Sequence, residues 1–250
     1  MTAAASAQVA PRSRGWRGAL RRAPWFRRTK LFLKRLVGRE PTLALDAVVP
    51  LERYGDWALV SGSIGRGSVV YAAGIGRDLG LERELATHCG AEVHAFDPSP
   101  ESLRWVSMQP PVEGLSVHAL GLAERDGRLQ LHAHPTADGT APLMYSAVDD
   151  TRRGPKVEVD AFSLGSLMRR LGHRELALLK LDIEGAEFGV IDGMLDDGVL
   201  PMQIMAEFHH RFPTLGKQFA ERAVARLRAA GYRLVYLSDN GREFTFLKSG

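Results

Sequence analysis

The chain has 250 residues, 45% of them apolar and 25% charged, the proportions of a soluble globular protein able to bury a substantial core. Its single cysteine, Cys89, excludes an internal disulfide framework and a multi-cysteine metal centre within one chain, and no run of about 18 apolar residues is present to cross a membrane as a helix. The formal charge of +4 is unevenly placed: residues 1–40 hold 11 of the 33 Lys and Arg and one of the 29 acids, Glu40, leaving 22 basic and 28 acidic residues in 41–250.

That asymmetry divides the chain into a basic N-terminal arm, residues 1–40, and a folded domain, residues 41–250. The acidic body argues against a nucleic-acid partner, since a groove for phosphates needs Lys and Arg near the site. No long apolar segment follows the basic stretch, so a secretory signal is not expected and a reducing, cytoplasmic setting is. Pro24 interrupts any helix begun earlier. Beyond it Trp25, Thr29, Phe32, Leu33 and Leu36 fall on one helical face, with Arg27, Arg28, Lys30 and Arg35 mainly elsewhere. That pattern describes either a surface-lying helix able to make peripheral contact with an anionic inner membrane face through residues 12–39, or a basic helix packed on its own domain or a partner.

Pro41–Gly67 leads into the sheet, with two aromatics beside a turn in Tyr54-Gly55-Asp56-Trp57. Val69–Pro98 then reads as strand, glycine turn, helix, strand and acid, the first half of a nucleotide-binding α/β sheet. Gly74 and Gly76 allow a tight turn and close approach of a ligand. Asp97 ends the second strand, where a carboxylate can accept from both ribose hydroxyls. Leu79 stands where the dinucleotide fingerprint needs a small residue, and no phosphate-binding G-x-x-x-x-G-K-[ST] loop exists. The architecture without a pyrophosphate clamp suits S-adenosylmethionine.

Glu101–Met108 reads as a helix and Leu115–Leu122 as a third strand ending at Gly121, near an adenine. Arg128–His134 is an extra strand, Pro135–Pro155 a long loop over the carboxyl end of the sheet, Lys156–Asp160 a short strand, and Leu164–Leu171 a helix ended by Gly172. Leu176–Asp182 is a buried strand that opens Asp182-Ile183-Glu184-Gly185-Ala186-Glu187. Glu187 falls in the first turn of the next helix, where the helix dipole explains it. Asp182 ends an apolar strand and needs a partner if buried. Gln203–Phe208 delivers Glu207, His209 and His210 to the same edge. Alternation places His209 with Glu207, making His209 the general base and leaving His210 for the surface. Asp182, Glu207 and His209 are also a donor set for a divalent cation, which is a possibility here and not an expectation. Phe219–Ala230 is an amphipathic helix, and Asn240-Gly241 turns a closing hairpin.

These residues together resemble the FkbM family of S-adenosylmethionine-dependent methyltransferases. The matching pieces are Tyr54-Gly55-x-Trp57, VYAAGIGRD (70–78), EVHAFDPSP (92–100), LLKLDIEGAE (178–187) and AEFHHRF (206–212). The resemblance implies a Rossmann-like class I methyltransferase sheet of seven strands, one antiparallel, with flanking helices. It implies methyl transfer to a hydroxyl of a sugar, glycoconjugate or polyketide-type product, a small-molecule or glycan acceptor. By motif position Gly74 and Gly76 contact the cofactor, Asp97 binds its ribose and Asp182 faces the reaction centre. Ala72 stands where many class I methyltransferases carry an acid and Asp78 where they carry a third glycine. Holding the methionine end of the cofactor then falls to Asp78 or Asp182. The competing readings are an NAD-dependent oxidoreductase or epimerase, a nucleic-acid methyltransferase, and a non-catalytic protein of this fold that docks on a membrane or partner through the arm.

Overall fold

Short apolar runs closed by Gly, Asp or Pro become the central strands, and the amphipathic stretches between them become helices. The computed structural model describes residues 23–134, 144–146 and 156–249. The arm contributes helix α1 (Pro24–Leu36) and a first hairpin pairs β1 (Leu51–Tyr54) with β2 (Trp57–Val60). The glycine-turn region gives β3 (Val69–Ala73), α2 (Gly80–Thr87) and β4 (Glu92–Phe96), followed by α3 (Pro100–Ser107), β5 (Leu115–His118) and β6 (Gly121–Leu122). Next come β7 (Gly127–His134), β8 (Met144–Ser146), β9 (Lys156–Phe162) and α4 (Leu164–Leu171). The chain continues through β10 (Leu178–Leu181), α5 (Glu187–Asp196), β11 (Gln203–Glu207), α6 (Lys217–Ala229), β12 (Tyr232–Leu237) and β13 (Glu243–Lys248).

Seven strands form the central sheet in the order β12-β13-β11-β10-β3-β4-β5. From β11 to β5 all neighbours are parallel, and β13 runs against both β11 and β12. Parallel strands need both faces covered. Leu179 and Leu181 of β10 pack with Leu167 of α4, Ile191 of α5 and Val224 of α6 on one face. Leu178, Val70 and Val93 pack with Leu59 of β2 and Leu85 of α2 on the other. The aromatics Tyr54 and Trp57 join that second cluster, so they seal the fold beside the hairpin. Cys89 also packs there, half-buried.

The strand expected over Leu115–Leu122 is divided. β5 ends at His118, whose carbonyl accepts from Asp97 N, and β6 leaves the central sheet to pair with β9. The apolar positions change phase there, from Leu115, Val117 and Ala119 to Leu120 and Leu122, and that shift was the available sign of the break. β6, β9, β7 and β8 make a separate four-stranded sheet. Within the stretch expected as loop over 135–155, Met144–Ser146 is strand, and the remainder lies outside the described residues.

Helix α1 sits on the body with its polarity reversed from the usual arrangement. Leu31 is its one buried residue; Arg27 pairs with Asp56 and Arg28 with Asp239. Trp25, Phe32 and Leu36 of the apolar face are 60%, 60% and 68% exposed. Glu40, the arm's one acid, is 2% exposed and bonds His210 Nε2 at 2.9 Å, Arg211 Nε at 2.7 Å and Lys34 Nζ at 3.0 Å. His210, expected at the surface, is buried because it serves this carboxylate. Burial opposes the charge of Glu40, but the hydrogen bonds from His210, Arg211 and Lys34 outweigh it and hold the acid well below its ordinary range. Removing one member of a buried pair costs about 3–5 kcal/mol. Glu40→Gln is therefore expected to lower the urea unfolding free energy by ~3 kcal/mol near neutral pH. Because the native acid is the stronger one, the wild-type advantage should shrink as pH falls below about 4. Equal stabilities at neutral pH would show the cluster to be neutral in energy.

Candidate active site

Three chain segments meet at the carboxyl edge of β3, β4 and β10. Gly74 begins the first, at φ +88°. A Cβ there would lie 1.7 Å from the carbonyl oxygen of Asp182, so this glycine is required by the approach of β10's exit. Gly76, at φ +56°, has open space in its Cβ direction. Asp97 ties the turn down: Oδ2 accepts from Ile75 N and Gly76 N, both at 3.0 Å. Its Oδ1 accepts from Ser99 N at 2.9 Å and Ser99 Oγ at 2.6 Å. Four acceptor positions are thus engaged, the full capacity of a carboxylate.

The turn borders a cleft of about 750 Å³, part of it open to solvent. Gly74, Gly76, Asp97, Gly121 and Asp182 all line it, together with Ser99, Leu122, Leu129, Leu131, Tyr145 and Glu184. Asp78 does not. It is exposed and accepts from Gly80 N at 2.8 Å, as an ordinary turn at the start of α2. The expectation that Asp78 touches a cofactor therefore has no support in its position: a carboxylate two residues before a free helix N–H is drawn to that donor.

Asp182–Glu187 forms the opposite wall. Glu187 is fully buried and its carboxylate accepts from Ile183 N at 3.0 Å and Gly185 N at 3.1 Å. It also holds His209 Nδ1 at 2.8 Å. The helix-dipole explanation of Glu187 is too small for these contacts; it shapes the turn and fixes the imidazole. Glu184 has φ +51°, the one described non-glycine residue in the left-handed region, at a cost of about 1–2 kcal/mol. Ser146 Oγ bonds its carbonyl at 2.7 Å. One buried carboxylate oxygen of Glu184, Oε2, has no hydrogen-bond partner among the described residues, although His209 Nε2 stands 3.2 Å away.

His209 is buried within a ring of carboxylates. Its Nε2 lies 3.2 Å from Glu184, 3.7 Å from Glu207 and 4.0 Å from Asp182, with Arg242 Nη2 at 3.2 Å. Arg242 also pairs with Glu207. Burial pushes the imidazole pKa down, but Glu187, Glu184 and Glu207 overcome this and hold it at about 9. The surrounding carboxylates thus favour the charged imidazole, and His209, the expected base, does not line the cleft. Burial, reinforced by Asp182, raises both Glu184 and Glu207 to about 7. Asp182 is raised by burial in the same way, and Lys180 and His209 oppose the shift. Donor atoms of Asp182, Glu184 and His209 lie within 4.8 Å of one another, so Glu184 takes the place expected of Glu207 in a cation-sized set. The guanidinium of Arg242 already reaches Nε2 and supplies positive charge to this group.

Sequence reading passed over several of these residues. Lys180 is a lysine inside an apolar strand, and that anomaly was the available signal. It is buried, pairs with Glu82 at 3.1 Å and donates to Gly74 O at 3.3 Å. Glu184 and Glu187 lay in plain view inside the acidic motif. Arg242 reaches the site from the distant hairpin, and nothing local in the sequence announces it.

The pKa directions give a testable pH dependence. His209 is raised on folding, so its contribution is complete below about pH 6.5 and lost as pH rises through about 9. Glu184 and Glu207 bind protons more tightly folded than unfolded, so their contribution is lost as pH rises through about 7. The melting temperature should fall between about pH 6 and about pH 9, and fall less in His209→Gln. A flat or rising profile would contradict the charge assignment.

Residues 75–234 match the family model described as the methyltransferase FkbM domain. The chain is 30% identical over 159 residues to the probable methyltransferase-like protein 24 of Rattus norvegicus, and 29% identical over 160 residues to its Homo sapiens counterpart. Each alignment covers 63% of this chain, and the chain spans 37% of the length of those relatives. The 31-O-demethyl-FK506 methyltransferase FkbM of Streptomyces tacrolimicus is 28% identical over 206 residues, 69% of this chain and 75% of that protein. A solved antibiotic-resistance methyltransferase, Kmr, aligns over 80% of this chain and all of its own at 16% identity and a TM-score of 0.36, too distant a likeness to add to the fold described above. With the family match extending from the glycine turn through the acidic motif to the start of β12, the chain belongs to the FkbM methyltransferase domain family.

Proposed function

We propose that this chain is a class I methyltransferase that transfers a methyl group from S-adenosylmethionine to a hydroxyl oxygen of a sugar, glycoconjugate or polyketide-type acceptor. The observation that carries the reading is the charge of the cleft. Asp97, Asp182 and Glu184 line it, and no Lys or Arg does among the described residues. A pyrophosphate would meet repulsion there, whereas a cationic nucleoside is attracted. The remaining lining fits the same ligand. Leu122, Leu129, Leu131 and Tyr145 offer an apolar wall for a flat base, and Gly76 leaves room beside the backbone. Asp97 supports this cradle by bracing the turn. A ribose hydroxyl competes with Ser99 Oγ–H for Oδ1.

When bound, the cofactor supplies a methyl group on positively charged sulfur. The protein's task is to align an acceptor oxygen with that methyl and remove its proton. Glu184 suits the second task. It lines the cleft, its Oε2 makes no hydrogen bond among the described residues and only an ion pair with His209, and burial raises its pKa to about 7. Its carboxylate would accept the proton of the acceptor hydroxyl; the methyl chemistry would be the cofactor's, its sulfur–methyl bond breaking as the oxygen–methyl bond forms and S-adenosylhomocysteine being left. His209 holds Glu184 electrostatically, Glu187 fixes His209, and Asp182 orients the acceptor. Titration calorimetry of the full chain should show micromolar binding of S-adenosylmethionine and S-adenosylhomocysteine, weakened roughly tenfold by Asp97→Asn, and no heat with NAD⁺. With a panel of hydroxylated glycosides and macrolides as acceptors, Glu184→Gln should lower turnover by about 10²–10⁴ while cofactor affinity is kept. It should also remove a rise in rate centred near pH 7. Binding of NAD⁺ in place of the methyl donor would overturn the reading.

The outward apolar face of α1 favours a further statement about location. We infer that the arm holds the domain, in a cytoplasmic setting, at an anionic membrane surface. Arg27, Arg28 and Lys34 pair with Asp56, Asp239 and Glu40, while Trp25, Phe32, Leu33 and Leu36 face solvent beside exposed Lys30. An exposed apolar stripe flanked by positive charge suits a headgroup layer. The chain should sediment with phosphatidylserine vesicles and not with phosphatidylcholine vesicles, and a Phe32→Ser, Leu36→Ser variant should lose that binding without losing its fold. Equal sedimentation of variant and wild type would exclude α1 as the anchor.

A further inference from the structure

A second cluster of ligating side chains lies at the opposite, amino end of the sheet. Glu92 and His94 are two residues apart on β4 and therefore share a face. His173 reaches the same place from the segment after α4, where Gly172 turns the chain at φ +79°. Glu92 Oε1 is 3.0 Å from His94 Nε2 and 3.4 Å from His173 Nε2. All three donor atoms lie within 4.8 Å of one another. We propose that Glu92, His94 and His173 form a binding site for a divalent transition-metal ion, with Zn²⁺ the ion that best suits two imidazoles and a carboxylate.

The distances fit such an ion. Ligands about 2.0–2.1 Å from a tetrahedral centre stand about 3.3 Å from each other, the spacing found between Glu92 and each imidazole. Both rings are also oriented from behind. His94 Nδ1 lies 2.9 Å from His118 Nε2, and His173 Nδ1 lies 2.7 Å from the Tyr71 hydroxyl. Each imidazole therefore has its far nitrogen engaged and its Nε2 turned to the carboxylate, as supporting partners hold metal-bound histidines. His94 and His173 are largely buried, whereas the Glu92 side chain is 55% exposed. An ion can enter from that side and keep a water as its fourth ligand. Bound there, it would join the start of β4 to the connection between α4 and β10.

The test uses the full chain, stripped with a chelator and dialysed. Titration with Zn²⁺ should show one equivalent bound, and Co²⁺ as a spectroscopic probe should give visible ligand-field bands. Glu92→Gln and His173→Gln should each abolish the bands and the Zn²⁺-dependent rise in melting temperature. Tyr71→Phe should weaken binding roughly 10–100-fold. Asp182→Asn, at the other end of the sheet, should leave Zn²⁺ binding intact. The proposal is overturned if the folded wild type binds no metal, if Glu92→Gln or His173→Gln binds as the wild type does, or if binding disappears in Asp182→Asn. In those cases Glu92 is only a shared hydrogen-bond acceptor between two histidines. Glu92→Gln sits at the surface, so its folding can be confirmed by circular dichroism if His173→Gln proves unstable.

Discussion

The tightest approach at any glycine among the described residues is the passage of the Gly74 backbone against the carbonyl of Asp182. No side chain fits between them. Asp182 N donates to Ala73 O, Gly74 N donates to Phe96 O, and Lys180 Nζ reaches Gly74 O from below. Three strand ends are thereby locked at one height. The carboxylates of Asp97 and Asp182 reach one cleft because the strands that carry them flank β3 and are each bonded to its end. A side chain at position 74 would separate the glycine turn from the acidic wall.

That closeness creates an electrostatic problem which the protein answers with its own cations. Asp182, Glu184, Glu187 and Glu207 surround one imidazole. Burial makes each negative charge costly, and mutual repulsion adds to the cost. Lys180, His209 and Arg242 answer it from three directions, yet Glu184 and Glu207 still sit near neutrality rather than fully ionised. The shortfall is useful for chemistry. A carboxylate held near the working pH can both accept and release a proton.

Much of this was legible in the sequence, and the failures have physical reasons. The strand–glycine–helix–strand–acid order located β3, α2, β4 and Asp97, because periodicity and glycine are local signals. The terminal hairpin followed from Asn240-Gly241 in the same way. The contacts of Glu187 and His209 were not legible because they depend on neighbours brought together by tertiary packing. The base was sought at the residue whose free pKa is suitable, while burial raises Glu184 and Glu207 and the surrounding acids raise His209. The end of β5 was missed because residues 115–122 were read as one apolar run across the change of phase at Ala119-Leu120. Asp97 was placed correctly, but its four protein donors could not be inferred from a spacing.

Strand β4 shows how one short element can serve two ends of a sheet without mixing their chemistry. Residues 92, 94 and 96 share a face, and Asp97 closes the strand on the cleft. Phe96 lines that cleft and stacks on His118 with ring centroids 4.9 Å apart; His118 in turn bonds His94. Tyr71 packs against both Phe96 and His94. The aromatic layer therefore insulates the acidic cleft from the histidine cluster while fixing the side chains of both. Packing at interior density transmits small displacements, so loosening Glu92, His94 and His173 would be felt first through Phe96 at the cleft wall. The two groups are separate in chemistry and joined in mechanics by one strand.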